Sequence, residues 1–376
     1  MLPYNQEDIV AIATPPGVGA LAVVRISGGN LKQLYKNFTH KTPKNRFASF
    51  SKLYHPKKNT ILDEAVVTYF ESPNSFTGED VIEISCHGGE AVKNSVVHAA
   101  LDCGARLAAP GEFTFRSFLN GKMDLIQAEA VSALISSKTP LSSEISLHHL
   151  GGRVSDLLFD IKTKIINVLS IIENELNFSE DEIDFTSYSE LKSQIKAVQS
   201  QIKQLLDSSV FGKNIFTGIR IIIYGKPNSG KSSLFNAILG HNRAITSSVP
   251  GTTRDTVEAW FELVGVPVCL VDTAGIWEPK EHLDGLGVEK TLSELKHADI
   301  CLLVDEKDPF SLLDPVFNKQ FQQHYIMVKT KLDLDCSWPS EQENIIATSS
   351  LHNTGIKELL TCLSTYISKN INVQNG

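Results

Sequence analysis

Cysteine is scarce in this sequence, and its distribution argues against two kinds of stabilising site. The 376 residues include six cysteines, and no two of them form a Cys-x-x-Cys pair. No histidine cluster stands near them at the spacing of a zinc site. We therefore expect neither a disulfide framework nor a structural zinc centre, but reduced and mostly buried thiols.

Long hydrophobic runs are also missing. No apolar segment approaches the roughly 20 residues that a helix needs to cross a bilayer. The first eight residues, Met1 to Asp8, lack the basic end and the apolar stretch of a signal peptide. We therefore expect a cytoplasmic protein without membrane association.

Positive charge is in deficit. The chain has 35 lysine and arginine residues against 43 aspartate and glutamate residues, which gives a formal net charge of -8. A protein that coats nucleic acid usually needs a basic face that releases counterions from the phosphates. The charge balance argues against that class, so any contact with RNA has to be local or shared with a partner.

The sequence does contain enough apolar residues for several hydrophobic cores, since they make up 42% of the chain. Residues 1–122 mix short apolar runs with Gly/Pro turns, which predicts a small α/β domain. Residues 123–212 have apolar residues at helical spacing, and residues 213–370 alternate strand-like with helical runs, which predicts a parallel, doubly wound sheet. The predicted fold is multidomain, with α/β, helical and α/β parts. The predicted strands of the last part are 219–224, 268–271, 300–304, 325–328 and 345–347.

Two apolar stripes run along the helical part. Their members are Leu158, Ile161, Ile165, Leu169 and Ile172, then Leu191, Ile195, Val198, Ile202 and Leu205. Stripes of this kind form where helices pack in a bundle. We interpret them as packing surfaces rather than as a ligand site.

A phosphate-binding motif follows the first strand of the last part. Residues 225–232, Gly-Lys-Pro-Asn-Ser-Gly-Lys-Ser, satisfy G-x-x-x-x-G-K-[ST] between a strand and a helical run. Backbone N–H groups of such a loop wrap the phosphates, Lys231 reaches the β- and γ-phosphates, and the Ser232 hydroxyl coordinates Mg²⁺. The nucleotide contacts predicted here are Gly225, Asn228, Ser229, Gly230, Lys231, Ser232 and Ser233.

Two further segments have the order and spacing of GTPase switch loops. Residues 251–255, Gly-Thr-Thr-Arg-Asp, offer Thr253 to complete the magnesium shell when the γ-phosphate is present. Residues 272–275, Asp-Thr-Ala-Gly, directly follow a strand and place a carboxylate near the metal and a glycine near the γ-phosphate. The predicted nucleotide site therefore also includes Thr252, Thr253, Asp272, Thr273, Ala274 and Gly275.

A guanine-recognition loop is expected at residues 330–333, Thr-Lys-Leu-Asp. Asp333 can accept two hydrogen bonds from guanine, a pattern that adenine cannot supply, and the Lys331 stem covers the ring. The usual motif begins with asparagine, so Thr330 is expected to weaken the internal ties of the loop and to reduce affinity without changing specificity. Ser349 and Ser350 resemble the final base-contacting loop, although a plain turn explains this dipeptide equally well.

Together with these elements, the N-terminal segments resemble the MnmE (TrmE) family of tRNA-modification GTPases, over Met1 to about Ile367. The segments concerned are ATPPG at 13–17, RISG at 25–28, PNSFTGED at 73–80, HGG at 87–89, PGEF at 110–113 and LNGKMDL at 119–125. The acidic run EDEIDF at 180–185 is also similar. The resemblance is thus distributed over all parts of the chain.

The resemblance implies a folate-binding N-terminal domain (1–122) that forms a homodimer, the first part of a helical domain (123–212) and an inserted GTPase domain (213–370). It further implies that the chain acts together with an MnmG-type flavoprotein on the wobble uridine of tRNA. The complex of the two proteins would contact the tRNA. A carboxymethylaminomethyl-type group would be added at C5, with a tetrahydrofolate derivative as the one-carbon source, while GTP hydrolysis drives the conformational cycle. By this resemblance, Arg25, Glu83 and Lys122 match the folate contacts of the family. A carboxylate can pair with pterin donors, and cations can bind folate oxygens. Without the resemblance, we would interpret these three as members of surface ion pairs.

The resemblance also implies a potassium ion in place of an arginine finger. A cation there neutralises charge that develops between the β- and γ-phosphates. Its ligand positions match Asn228, Ser247, Val249 and Thr252. Ser247 replaces the usual threonine and keeps the oxygen, and Arg254 is interpreted as a surface residue of the loop rather than as a finger.

The catalytic residues implied are Lys231, Thr253 and Asp284. Asp284 occupies the position of a glutamate that orients the attacking water, but on a shorter stem. Since a misplacement of about 1 Å can cost about a hundredfold in rate, slow hydrolysis is expected unless the loop compensates. A solvated loop acid is the alternative interpretation of Asp284.

Family members continue into the rest of the helical domain and finish with a Cys-x-Gly-Lys tail, whereas this sequence ends at Asn375-Gly376. The apolar faces of residues 150–206 are therefore expected to be uncovered unless a partner fills them. Two alternatives to a GTPase of tRNA modification stay open. One is a GTP-binding scaffold with degraded hydrolysis and no modification activity. The other is a ribosome-assembly GTPase of the Era or Der kind, against which the flanking segments argue.

Overall fold

The computed structural model describes residues 7–177, 186–241, 244–245, 257–272, 295, 298–313, 324–334 and 345–371. The chain divides into two units. Unit 1 contains Met1–Ser132 and His149–Ser155, and unit 2 contains Ala133–His148 and Asp156–Gly376. The division into three domains at residues 122, 212 and 370 stays a prediction.

Unit 1 is built on a six-stranded sheet. Its elements are β1 (Ile9–Ile12), β2 (Leu21–Gly28), α1 (Lys32–Thr39), β3 (Ser49–Tyr54), β4 (Ile61–Phe70), β5 (Asp80–His87), α2 (Glu90–Asp102), β6 (Arg106–Leu107) and α3 (Glu112–Leu119). The strand order is β3-β4-β5-β2-β1-β6, and all neighbours are antiparallel except β1 and β6. This arrangement fits the predicted small α/β domain.

The sheet of unit 1 has one buried face and one partly exposed face because its strands alternate. In β2, Ala22, Val24 and Ile26 are buried in a core that also contains side chains of α1 and α2. The residues between them point to the other face. Arg25 of β2 stands directly opposite Glu83 of β5 on that face.

Four helices follow, namely α4 (Leu125–Ser136), α5 (Pro140–Leu150), α6 (Arg153–Asn177) and α7 (Tyr188–Thr217). The prediction of a helical part is confirmed, although α7 continues past the expected boundary at residue 212. The apolar stripes are only partly covered: Ile161 and Val198 are buried, whereas Leu169 and Ile195 are each 51% exposed. None of the helices in the described ranges is both long and apolar enough to cross a membrane.

Unit 2 contains a seven-stranded sheet. Its elements are β7 (Ile219–Tyr224), α8 (Lys231–His241), β8 (Ala244–Ile245), β9 (Val257–Leu263), β10 (Val266–Asp272), β11 (Ile300–Asp305), a 3₁₀ turn (Pro309–Leu312), β12 (His324–Lys329), β13 (Ile345–Ala347) and α9 (Ile356–Ile371). The order is β13-β12-β11-β7-β10-β9-β8, and the five strands from β13 to β10 are parallel. These five are the strands that the sequence predicts.

Both faces of the central strands are buried, which explains their nearly continuous apolar runs. Ile221 and Leu270 belong to the core that includes side chains of α8 and α9. Ile222 and Val271 point to the opposite core, with Leu295. The phosphate-binding motif therefore directly follows a strand that is buried on both faces.

The edge of this sheet departs from the prediction of an all-parallel arrangement. β9 pairs with β10 in antiparallel orientation, from Leu263 opposite Val266 to Val257 opposite Asp272. The two strands are joined by Val264 and Gly265, both at positive φ, as two-residue hairpin turns require. The alternation of residues 257–263 and this turn were signals that the sequence contained.

Three of the five described cysteines are buried, in agreement with the prediction of mostly buried thiols. Cys86, Cys269 and Cys301 are buried, while Cys103 and Cys362 are exposed, and all five are free thiols. Cys336 lies outside the described residues.

Candidate functional site

The loop between β7 and α8 is shaped by close backbone packing. A Cβ atom at Gly225 would lie 2.0 Å from the carbonyl oxygen of Val304 in β11, so only glycine fits there. Asn228 and Gly230 both have positive φ, which folds residues 225–230 into a compact turn. Helix α8 begins immediately afterwards, and its free N–H groups and positive dipole end face the loop.

Lys231 is the first residue of α8 and is 4% exposed. Its ammonium group donates a hydrogen bond of 2.7 Å to the carbonyl oxygen of Lys226. Burial lowers the pKa of Lys231, and the nearby Asp272 carboxylate opposes that shift. Asp272 is itself 4% exposed at the end of β10, directly beside β7. The structure thus brings together the lysine and the aspartate that the sequence places in a phosphate and metal site.

Ser229 gives an independent indication that the loop fits a ligand. Its hydroxyl oxygen is buried and has no hydrogen-bond partner among the residues that the structure describes. A buried hydroxyl without a partner is costly, and a phosphate oxygen would satisfy it. Ser232 and Ser233 stand exposed in the first turn of α8. The loop therefore fits a phosphate chain with its metal ion.

The described residues contain no group of three or more His, Cys, Asp and Glu side chains that could hold a metal ion by themselves. This is compatible with Mg²⁺, which usually keeps several waters and binds through one or two protein groups and the substrate phosphates. Eight predicted site residues lie outside the described ranges, as does Arg254. The eight are Ser247, Val249, Thr252, Thr253, Thr273, Ala274, Gly275 and Asp284.

Thr330 connects the predicted guanine loop to the phosphate loop. Its hydroxyl donates a hydrogen bond of 2.5 Å to the carbonyl oxygen of Ser229, and its N–H donates to the carbonyl oxygen of Asp305 at 3.1 Å. Thr330 thus keeps a tie to the phosphate loop from a 2% exposed position, and the expectation that it weakens the ties of its loop relative to asparagine stays a prediction. The expected reduction of affinity stays a prediction.

Asp333 is held by the loop that follows β13. The Ser349 hydroxyl donates to its Oδ1 atom at 2.6 Å, and this hydrogen bond lowers the pKa of Asp333. The Leu332 N–H donates to the carbonyl oxygen of Thr348 at 3.2 Å, while Ser350 is partly exposed next to Ser349. An ionised, orientated carboxylate is what two guanine N–H donors require.

A cavity of about 390 Å³ lies between these loops. It is lined by residues 226–229, residues 305–308, Ser311 and Lys331. A larger groove of about 810 Å³ lies between α9, His324 and Ile346, and none of the predicted site residues lines it. Of the predicted nucleotide contacts, Asn228, Ser229 and Lys331 line the smaller cavity.

The structure also pairs two of the three predicted folate contacts. Arg25 Nη2 lies 2.6 Å from Glu83 Oε1, and Arg25 Nε donates to the same oxygen at 2.8 Å. The guanidinium carbon lies 5.3 Å from the ring centroid of Phe76 and 5.7 Å from that of Phe113. Both side chains of the pair are roughly three-quarters buried. This is more enclosed than a surface ion pair, and two aromatic rings add cation–π stabilisation.

Lys122 lies against the loop that carries Phe76. A Cβ atom at Gly78 would be 3.2 Å from Lys122 Cγ, and Asn120 Nδ2 donates to the carbonyl oxygen of Thr77 at 2.7 Å. The segment 120–122 therefore packs on residues 76–78. The structure links all three predicted folate residues to this one loop.

Sequence reasoning missed the side chain that fixes this loop, Arg116. It is 1% exposed, and its two Nη atoms lie 2.8 Å from Glu79 Oε2 and 3.1 Å from Glu112 Oε1. Glu79 also accepts a hydrogen bond of 2.8 Å from the Ser27 hydroxyl, two residues after Arg25. Ser27, Glu79 and Glu112 all lie in segments that carry the family resemblance, which was the available signal.

A phosphate-loop motif at a helix N-terminus, hydrogen-bonded to the predicted guanine loop, is typical of a P-loop GTP-binding protein. Comparison with known proteins identifies the family. The family model described as "GTP-binding protein TrmE N-terminus" matches residues 8–122, and the model "MnmE helical domain" matches residues 125–375. The chain belongs to the MnmE family, and the resemblance found in the sequence is confirmed.

Individual relatives support this assignment over most of the chain. The tRNA modification GTPase MnmE of Aquifex aeolicus (strain VF5) is 40% identical over 361 residues, which are 94% of this chain and 80% of the relative. The protein of the same name from Koribacter versatilis (strain Ellin345) is 38% identical, over 94% of this chain and 81% of the relative. That from Nitrosomonas eutropha (strain DSM 101675 / C91 / Nm57) is 36% identical, over 99% of this chain and 83% of the relative.

Proposed function

We propose that this chain binds and hydrolyses GTP in the course of tRNA modification. The observation that carries the proposal is the hydrogen bond from Thr330 to Ser229, because it joins the phosphate-binding loop to the predicted guanine loop. Membership of a family whose relatives are named tRNA modification GTPases supplies the biological setting.

The finer proposal concerns the reaction and its partners. The chain acts in the cytoplasm as a homodimer formed through its N-terminal domain, together with an MnmG-type flavoprotein that shares the contact with tRNA. The pair adds a carboxymethylaminomethyl-type group at C5 of the wobble uridine. The net charge of -8 supports a shared rather than an extensive contact with RNA.

In the nucleotide site, each described residue has a definite task. Lys231 exchanges its bond to the Lys226 carbonyl oxygen for the β- and γ-phosphates, and Ser229 gains the partner that its buried hydroxyl lacks within the described part of the chain. Asp333 accepts the guanine donors in the orientation fixed by Ser349. Ser232 and Thr253 would hold Mg²⁺, which supplies charge neutralisation on the phosphates when bound.

Four residues would hold potassium, namely Asn228, Ser247, Val249 and Thr252. The ion would supply the charge stabilisation that an arginine finger gives in other GTPases. Asp284 orients the attacking water. Of these five residues, only Asn228 belongs to the described part of the chain, where its positive φ places it at the turn of the phosphate loop.

In the N-terminal domain, Glu83 would accept hydrogen bonds from the pterin ring of a tetrahydrofolate derivative, and Arg25 and Lys122 would bind its oxygens. The arrangement of Phe76 and Phe113 around Arg25 supports this proposal, because pterin is a flat aromatic ring and such rings stack on aromatic or guanidinium planes.

The test is GTP hydrolysis by the purified chain in potassium chloride and in sodium chloride at equal ionic strength. We expect clear stimulation by potassium. Equal rates near background in both salts, with GTP binding intact, would contradict the enzymatic proposal and favour the GTP-binding scaffold.

A further inference from the structure

The lysine of the predicted guanine loop is held by an acid from a different loop. Lys331 Nζ lies 2.6 Å from Glu306 Oε2, and Glu306 directly follows the last residue of β11. The two side chains are 34% and 41% exposed, so the pair lies at the mouth of the cavity that both residues line. Lys331 has a φ of +57°, a backbone conformation that is uncommon for lysine and that is retained where surrounding contacts hold it.

The loop that carries Glu306 is itself firmly built. Asp305 Oδ1 accepts hydrogen bonds from the N–H groups of Lys307 at 2.8 Å and Asp308 at 3.0 Å, which closes the turn around Glu306. The carbonyl oxygen of Asp305 accepts the Thr330 N–H at 3.1 Å. The residues that directly precede Glu306 and Lys331 are therefore hydrogen-bonded to each other, which fixes the two backbones side by side.

We propose that Glu306 is a positioning residue for nucleotide binding. It holds the Lys331 side chain, before the nucleotide binds, in the conformation in which the aliphatic part of Lys331 packs on the guanine ring. This rests on the proposed GTP-binding function. A lysine side chain that is unrestrained in the free protein loses conformational entropy when the base binds. The ion pair with Glu306 already restricts the side chain, so less entropy is lost on binding. Glu306 does not select the base, because the donor pattern of guanine is recognised by Asp333.

The opposite effect is expected if Glu306 acts only through its charge. A carboxylate beside the site repels the nucleotide phosphates, so its neutralisation would then strengthen binding. Positioning of Lys331 predicts that the same neutralisation weakens binding. The sign of the change therefore separates the two roles.

The experiment measures the affinity of the full chain for fluorescently labelled GDP in the wild type, Glu306→Gln, Lys331→Met and the double variant. We expect Glu306→Gln to bind about fivefold more weakly than the wild type, as for the loss of a well-placed exposed ion pair. In the Lys331→Met background, the same substitution should have no further effect, since the residue on which Glu306 acts is gone.

Glu358→Gln is the matched control, because it removes the same charge from the first turn of α9, outside this cavity, and should leave affinity unchanged. Unchanged or tighter binding by Glu306→Gln overturns the inference, and so does an equal loss in the Lys331→Met background. Failure of the wild type to bind GDP would instead overturn the proposed function, and the inference with it.

Discussion

The Thr330 hydroxyl and the Ser229 carbonyl oxygen are joined by a buried hydrogen bond of 2.5 Å across 101 positions of sequence. Through this bond, the loop that would hold the phosphates and the loop that would hold the base support each other. Gly230 contributes to the same contact, since a Cβ atom there would lie 3.3 Å from Thr330. The threonine that departs from the usual asparagine is therefore well suited to its surroundings.

Thr330→Val keeps the branched shape of the side chain and removes only the hydroxyl. We expect a loss of about 1 kcal/mol in the free energy of unfolding, because the Ser229 carbonyl oxygen loses this buried partner. Weaker GDP binding should accompany it. Urea unfolding and nucleotide titration measure the two effects. Thr361→Val is the control, since the exposed Thr361 hydroxyl donates to the Lys357 carbonyl oxygen of its own helix, and an equal loss in both variants would contradict the role given to Thr330.

Glu83→Gln preserves the shape of the predicted folate contact and removes its charge. We expect binding of 5-formyltetrahydrofolate to weaken about tenfold or more, because hydrogen bonds to a charged group are the stronger kind. Calorimetric titration gives the affinity. Glu71→Gln breaks the exposed pair with Lys32 and should have no effect on folate binding. Retained affinity in Glu83→Gln would support the alternative that Arg25 and Glu83 form only an ion pair.

We expect low pH to reduce the folding stability of unit 1, because it protonates the Glu112 carboxylate. Its hydrogen bond to Arg106, 2.6 Å from Nη2, is the main reason that the pKa of Glu112 is lowered to about 2. The pKa of this carboxyl is lower in the folded than in the unfolded state, so its ionised form stabilises the folded state. The full contribution is present above about pH 4.5 and is lost as pH falls toward about 2.

Glu112→Gln should therefore lower the free energy of unfolding by about 3 kcal/mol at neutral pH, with a difference from the wild type that shrinks below about pH 4.5. Melting temperatures across this pH range measure the effect. Glu64→Gln, at an exposed position of β4, serves as the comparison. A difference that stays constant with pH would show that Glu112 does not contribute through its ionisation.

Asp284→Glu lengthens the side chain that is expected to orient the attacking water. We expect turnover in potassium to increase by about tenfold or more, because placement errors of about 1 Å are costly at a reacting centre. GDP affinity should not change. Single-turnover hydrolysis separates the chemical step from product release. An unchanged rate would count in favour of the scaffold.

The features that the sequence predicts correctly are those with a local signal. The phosphate loop is a contiguous motif between a strand and a helix, and the five parallel strands are apolar runs buried on both faces. β9 is not among the predicted strands, because Glu258 and Glu262 interrupt its apolar residues and leave no continuous apolar run.

The supporting network of the N-terminal site could not be predicted in the same way. Arg116 binds Glu79 and the Glu7 carbonyl oxygen, which are 37 and 109 positions away in sequence. Such partners carry no spacing signal, and only the fold determines that they meet. The pairing of Arg25 with Glu83 likewise depends on the β2–β5 register, and the sequence indicated these two residues only through the family resemblance.

The hairpin of β9 and β10 has a mechanical consequence for the nucleotide cycle. Val257 and Asp272 are partners at its open end, so the two segments expected to respond to the γ-phosphate leave the sheet from neighbouring strands, about 5 Å apart. They share one anchor, a ladder of seven residue pairs closed by a two-residue turn. Residues 257 and 272, from which the two segments continue, are therefore joined to the sheet through the same hairpin.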